Sequence, residues 1–256
     1  MRNHKNLGRA LTPSVLFAIA AVALFPASVV AARPAATPEA APARFANAPA
    51  LTPDKGTFRI LVNGDQVGKE DFEVAPDGAN WTVHGNTEIH AGKTLTRISG
   101  ALTLRQDGTP VHYEWLTEGS KKASAKVDFA GTTATIELSV TPSGSNPAKA
   151  RPFTQQFTFS SPQIAVLDNN LYDQFVVLAD LYDWNKKGAQ TFPVLVPQEL
   201  TPGSATVESM GRQEFNGKKF EELRVTTQDN EVDLYLDGSR LMAISVPGAN
   251  AEILRQ

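Results

Sequence analysis

The sequence predicts a mainly β fold: a long antiparallel sheet curved into a half-barrel, with one central α-helix over about residues 170–187. Three observations predict it. From Thr57 onward, apolar and polar residues alternate with a period of two, the mark of strands with one wet face. Turn pairs recur roughly every dozen residues, at Asn63-Gly64, Asp77-Gly78, Ala91-Gly92, Asp107-Gly108, Gly119-Ser120 and Ala130-Gly131. One segment, Leu171 to Lys187, instead carries apolar residues at helical spacing, in Leu171, Phe175, Leu178 and Tyr182.

Each strand follows from its alternation. Phe58, Ile60 and Val62 share a face, as do Trp81, Val83 and Ile89, then Ile98, Leu102 and Leu104, then Val111, Tyr113 and Trp115. The strands are long and the meander lacks strong breaks, so it should curl. Thr141 to Arg151, with Pro142, Gly144, Ser145, Asn146 and Pro147, reads as a flexible loop. The sheet resumes with Phe153, Phe157 and Phe159 on one face, and the pattern changes at Pro162.

The helix has matching ends. Asp168, Asn169 or Asn170 can cap its start, Asp173 sits in the first turn, Lys186 and Lys187 in the last, and Gly188 follows as the terminating residue. Val176, Val177, Ala179, Leu181 and Trp184 make it apolar nearly all round, so it must be held against the sheet. Strands follow at Thr191 to Pro197, Ala205 to Phe215, Phe220 to Thr227, Glu231 to Leu236, Arg240 to Val246 and Ala251 to Leu254, with turns at Asn216-Gly217 and Asp237-Gly238. Pro193 and Pro197 suit Thr191 to Pro197 to a sheet edge. The likeness between Val62-Asn63-Gly64 to Val74 and Phe215-Asn216-Gly217 to Val225 reads as shared hairpin chemistry, not duplication.

Residues 1–32 read as a signal peptide, with basic Arg2, Lys5 and Arg9 before the uncharged stretch Ser14 to Phe25. Cleavage is expected after Ala32 or Ala31. Pro13 and Pro26 bracket a run shorter than the roughly 20 residues of a bilayer span. Residues 33–54 form an Ala/Pro-rich linker, and 55–256 a single β-rich domain. The expected location is therefore periplasmic or secreted, with no membrane span after cleavage. The chain has no cysteine, which excludes disulfides, thiol nucleophiles and a diacylglyceryl lipoprotein anchor. Loss of residues 1–32 leaves 21 basic and 27 acidic residues, a net charge of −6, which argues against nucleic acid as a partner.

No motif names a reaction. GxSxG, SxxK, Asp-Thr-Gly, GxxxxGK[ST] and a glycine fingerprint between strand and helix are all missing, so no catalytic residue and no cofactor is assigned. His84, Glu88 and His90 share a parity and His112 and Glu114 lie on a neighbouring strand, but theirs is the solvent face with Thr82 and Asn86, and no metal site is assigned. Asp168, Asp173, Asp180 and Asp183 gather at the helix, where capping and an Asp183–Lys187 pair account for them better than acid–base chemistry. There remains an apolar helix on a curved sheet, whose concave face is either filled or open to an apolar ligand. Trp81, Trp115, Phe175, Leu178 and Tyr182 would line it.

Four segments carry a resemblance: Val62-Asn63-Gly64-Asp65-Gln66-Val67-Gly68, the hairpin Asp107-Gly108-Thr109-Pro110-Val111-His112-Tyr113, the helix from Leu167-Asp168-Asn169-Asn170 to Trp184, and Gly238-Ser239-Arg240-Leu241 to Pro247. Over residues 56–255 the chain resembles a group of exported bacterial domains of unknown function. These look similar in strand order to LolA/LolB-like periplasmic carriers, whose curved sheet wraps a helical plug and binds acyl chains. It is also similar to the N-terminal extension of some secreted α/β-hydrolases. The resemblance implies no catalytic residue. The LolB-type lipidated cysteine is missing here, which favours a soluble role. The expected function is a non-enzymatic envelope binding module for a lipid or other apolar ligand, or for an envelope protein partner. The alternative is an accessory domain of a secreted hydrolase, whose partner meets the Thr191 to Pro197 edge.

Overall fold

A computed structural model describes residues 51–119, 122–141, 153–186 and 188–256. The expected signal peptide with its cleavage site and nearly all of the expected linker lie outside the described residues, as do Lys187 and most of the loop expected after Thr141. Fifteen strands form one curved, unclosed sheet: β1 (Asp54–Val62), β2 (Asp65–Asp77), β3 (Asn80–Ala91), β4 (Thr94–Arg105), β5 (Pro110–Glu118), β6 (Lys122–Ala130), β7 (Thr133–Thr141), β8 (Phe153–Thr158), β9 (Ala165–Val166), β10 (Gln190–Val196), β11 (Thr201–Phe215), β12 (Lys218–Thr226), β13 (Glu231–Asp237), β14 (Arg240–Val246) and β15 (Ala251–Arg255). The helix α1 spans Asp173–Leu181.

The strand order explains the chain's path. From β1 in the middle, the sheet runs β2 to β8 toward one edge; the chain then crosses to β9 at the other edge and winds back from β10 to β15, which pairs with β1. All pairs are antiparallel except β9 with β10. The expected turns sit where left-handed backbone is needed. Asn63 and Gly64 (φ 53° and 85°) and Asn216 and Gly217 (φ 49° and 76°) form matching two-residue hairpin loops. Two corners escaped the sequence reading: Pro197–Glu199 and Pro247–Ala249 are single 3₁₀ turns, each closed by a left-handed residue, Leu200 or Asn250.

The first and last strands are fastened by charge. Arg255 donates to both carboxylate oxygens of Asp54 at 2.8 and 2.6 Å, and also to the Lys55 and Leu241 carbonyls. Such a two-pronged, largely buried pair fixes the register of β1 against β15. The ordered fold also starts earlier than the composition suggests: Leu51, inside the expected linker, is 2% exposed in the core, and Asp54 opens β1.

The helix lies inside the curve, against β2, β3, β9 and β14. Seven of its nine residues are buried, as its all-round apolarity requires. It is shorter than expected at both ends. Tyr172 occupies the N-cap position without a side-chain cap bond, and Asp168, Asn169 and Asn170 do not cap. Tyr182 ends the helix in extended backbone, so Gly188 (φ 89°) belongs to the following loop and Trp184, 47% exposed, lies beyond the helix. That loop is held instead by Gln190, whose amide accepts from Asp183 N and donates to Asp183 O. The edge expectation for Thr191 to Pro197 is modified: β10 is flanked by β9, but over two residues only.

Gly68 on β2 is buried, and the Glu88 carbonyl oxygen of β3 occupies the space a Cβ would need. Gly68→Ala therefore pits backbone against backbone. It is expected to lower stability by about 1 to 3 kcal/mol in a urea titration; an unchanged midpoint would contradict this packing.

Candidate functional site

The inner face of β2 to β5 should be apolar, yet Glu70, at the same parity as Phe72 and Val74, is fully buried on it. The neighbouring positions Gly85 on β3 and Gly100 on β4 face each other across the sheet and carry no side chain. Together they leave a depression that the segment before α1 fills. A Cβ on Gly85 would lie 2.8 Å from the carboxyl groups of both Asp173 and Glu70, and one on Gly100 would lie 2.8 Å from Leu171 Cδ1.

Glu70 is the cap the helix lacks locally. Its two carboxylate oxygens each accept from Tyr172 N at 3.0 Å, and one accepts from Asp173 N at 3.4 Å. These amides are among those a helix start leaves without intrahelical partners. A second knot holds the approach to the helix. Tyr113 Oη on β5 donates to Asp168 Oδ2 at 2.7 Å and accepts from Gln174 Nε2 at 3.1 Å. Asp168 N donates to Gln174 Oε1, and Gln198 N donates to Asp168 Oδ1 at 2.8 Å. Thr87 Oγ1 donates to the Asn170 carbonyl at 2.7 Å.

Burial shifts these acids strongly. Desolvation, with the adjacent Asp173 carboxyl, pushes Glu70 well above its usual range, and desolvation likewise raises Asp173. Two carboxyl groups converging over Gly85 away from water resist ionising together. Desolvation carries Asp168 up to about 7 despite its bonds from Gln198 and Tyr113. Desolvation also brings Asp180 to about 6; its Oδ2 accepts from Thr52 N at 2.7 Å.

The four helix acids thus separate into different roles. Asp168 and Asp173 are buried in the polar knot, Asp180 ties down the start of the fold, and Asp183 accepts from Asn185 N and pairs with Lys186 at 3.6 Å. The expected partner Lys187 lies outside the described residues. Sequence reasoning missed Glu70 and Tyr113. The available signal was a carboxylate at core parity in β2.

Of the expected lining residues, Trp81, Trp115, Leu178 and Tyr182 are buried in the core, and Phe175 packs against it half-buried. Tyr182 Oη donates to the Gly188 carbonyl. Trp81 Nε1 and Trp115 Nε1 are buried donors without an acceptor, and Asp173 Oδ1 is a buried acceptor without a donor. Two surface clefts of about 320 Å³ each lie elsewhere, one beside Arg97 and Glu118 and one between Phe159 and Pro193; none of the five residues lines either.

On the outer face His84 and His90 are exposed and Glu88 pairs with Arg97. His112 bonds Asp128 at 2.7 Å and Glu114 at 3.1 Å. Partial burial pulls the His112 imidazole down, but those two carboxylates outweigh it and hold it above its ordinary value.

Comparisons show what the chain is similar to. No family model and no curated protein matches it. Among solved structures it is similar to a β-barrel-like protein of a domain of unknown function, DUF1849, from Brucella abortus, with a TM-score of 0.54 at 8% identity over 80% of this chain and 95% of that one. At that identity the likeness speaks for the fold alone. No helix among the described residues is long and apolar enough to cross a membrane.

The raised carboxyls set a pH dependence. A group that holds its proton more tightly when folded adds stability below its unfolded pKa, about 4, and that stability is lost as pH rises through the folded value, about 7 for Asp168. The thermal midpoint should fall from pH 5 to pH 8, His112 contributing in the same direction. Asp173→Asn gives Glu70 a neutral amide neighbour in place of a second carboxyl. It should flatten that fall and raise stability at pH 8 by on the order of 1 to 3 kcal/mol; an unaltered pH slope would refute the coupling of the two carboxyls.

Proposed function

We propose that the domain is an exported, non-enzymatic binding module of the cell envelope, taking an acyl lipid or similar ligand with an apolar body and an oxygen acceptor. The observation that carries this reading is the pair of indole N–H groups, Trp81 Nε1 and Trp115 Nε1, buried on the concave face without an acceptor. Buried donors are nearly always satisfied, and a ligand carboxyl or ester oxygen would satisfy these. Phe175, the half-buried apolar residue of the helix, is the side chain a ligand could displace at least cost. A curved sheet around an internal helix, which the resemblance to LolA/LolB-like carriers implies, and the signal-peptide pattern of residues 1–32 support it.

A second reading is favoured by the burial of the other four lining residues. With the concave face filled, the domain acts as an accessory module that a secreted hydrolase or another envelope protein meets at its surface.

Native mass spectrometry with lipid extraction, on protein purified from an envelope fraction without detergent, separates the two. The expected result is a stoichiometric acyl-lipid adduct. A clean apo mass with no shift on adding lipid would overturn the carrier reading and leave the accessory one. Trp81→Phe and Trp115→Phe each delete a donor and keep an aromatic ring. Each trims a buried ring and so lowers the thermal midpoint modestly, while lipid binding should weaken about 5- to 10-fold. Phe175→Ala should reduce affinity more than stability, and unchanged binding in the folded variant would count against Phe175 as a lining residue.

A further inference from the structure

The two ends of the open sheet are finished differently. At one end β10 is flanked by β9, and Pro193 removes a ladder donor, which blunts that edge. At the other, β8 pairs only with β7 among the described residues, in an unbroken register from Leu138↔Phe153 to Thr133↔Thr158. Its sequence, Phe153-Thr154-Gln155-Gln156-Phe157-Thr158, contains no charge, proline or glycine. Within the strand itself no charge or proline opposes edge pairing. Of the four exposed large apolar side chains among the described residues, two, Val140 at 48% and Phe153 at 53%, lie at this edge.

We propose that β8 is a self-association edge, pairing antiparallel with β8 of a second copy about a two-fold axis at Gln155. The strand itself selects this partner and register. Folded back on itself about Gln155, Phe153 meets Phe157 of the other copy, Thr154 meets Gln156, and Gln155 meets its own equivalent. Phe153, Gln155 and Phe157 continue the inner face of Leu138, Ile136 and Ala134, so both copies keep their inner faces on the same side of a joined sheet. A register shifted by one residue would join inner face to outer face and set Phe153 opposite Thr158. Each chain is net negative, yet the pairing brings no charges together on β8. Cross-strand aromatic pairs and a row of new backbone hydrogen bonds supply the attraction. Five residues a side bury well under the roughly 1,600 Å² of a standard interface, so the dimer is weak and concentration-dependent.

Sedimentation velocity of the chain as its host produces it, from about 1 µM to about 500 µM, should show monomer passing to dimer. Gln155→Lys and Gln155→Glu each place like charges across the axis and should weaken the dimer at least about tenfold. An equimolar mixture of the two should restore it, which also shows that both variants are folded. Because the chain has no cysteine, Gln155→Cys should give a covalent dimer and nothing larger on mild oxidation. A single monomer mass at every concentration, a dimer indifferent to both charges, or a mixture that fails to reassociate would each overturn the proposal.

Discussion

A helix start sealed inside a curved sheet has no water for its free amides, and the acceptor that replaces water must be buried with them. Glu70 is that acceptor, and much of the local sequence exists to admit it. Gly85 and Gly100 lower the sheet so that Asp173 and Leu171 can approach. Tyr113 and Gln174 hold Asp168 beside them. Removing a carboxylate from water costs several kcal/mol, offset here by amide donors and by the positive end of the helix dipole. The seat is therefore stable and at the same time sensitive to the protonation of its own members.

The sheet was legible in the sequence because its instructions are local. Asn63-Gly64 and Asn216-Gly217 demand left-handed backbone wherever they occur, and alternation between such turns fixes which side chains face inward. The helix boundaries were not, because the cap comes from a residue about a hundred positions earlier, whose approach only the tertiary fold decides. Asp168, Asn169 and Asn170 are good cappers by composition, yet Asn170 (φ 63°) is spent on the turn into the helix and Asp168 on Tyr113. The burial of Trp81 and Trp115 followed from parity. Their unsatisfied indole donors did not, since satisfaction depends on neighbours in space.

Polar fastenings are concentrated at both ends of the helix, and its middle is held by apolar contact. Ahead of it stand Glu70, Asp168 and Tyr113; near its end stand the Asp180 bond to Thr52 and the Tyr182 bond to Gly188. Apolar contact tolerates rearrangement because it has no preferred direction, whereas a buried hydrogen bond lost is a cost not easily recovered. Any ligand admitted between helix and sheet is thus constrained to the stretch between these knots, where Phe175 and Leu178 lie.

The same division applies to the whole sheet. Its centre, where the first and last strands meet, is locked by the Asp54–Arg255 pair and by core residues such as Phe58 and Ile253. Burial decreases toward β8, whose outward residues are exposed and whose outer ladder has no partner among the described residues. A sheet that remains open must either protect its last strand or use it. Proline and a short flanking strand protect the β10 end, while β8 carries a neutral, self-complementary row with its phenylalanines aligned on the inner face. That asymmetry assigns the proposed pairing to β8, an edge that in the strand order lies away from β2 and β3, which carry Glu70 and Gly85.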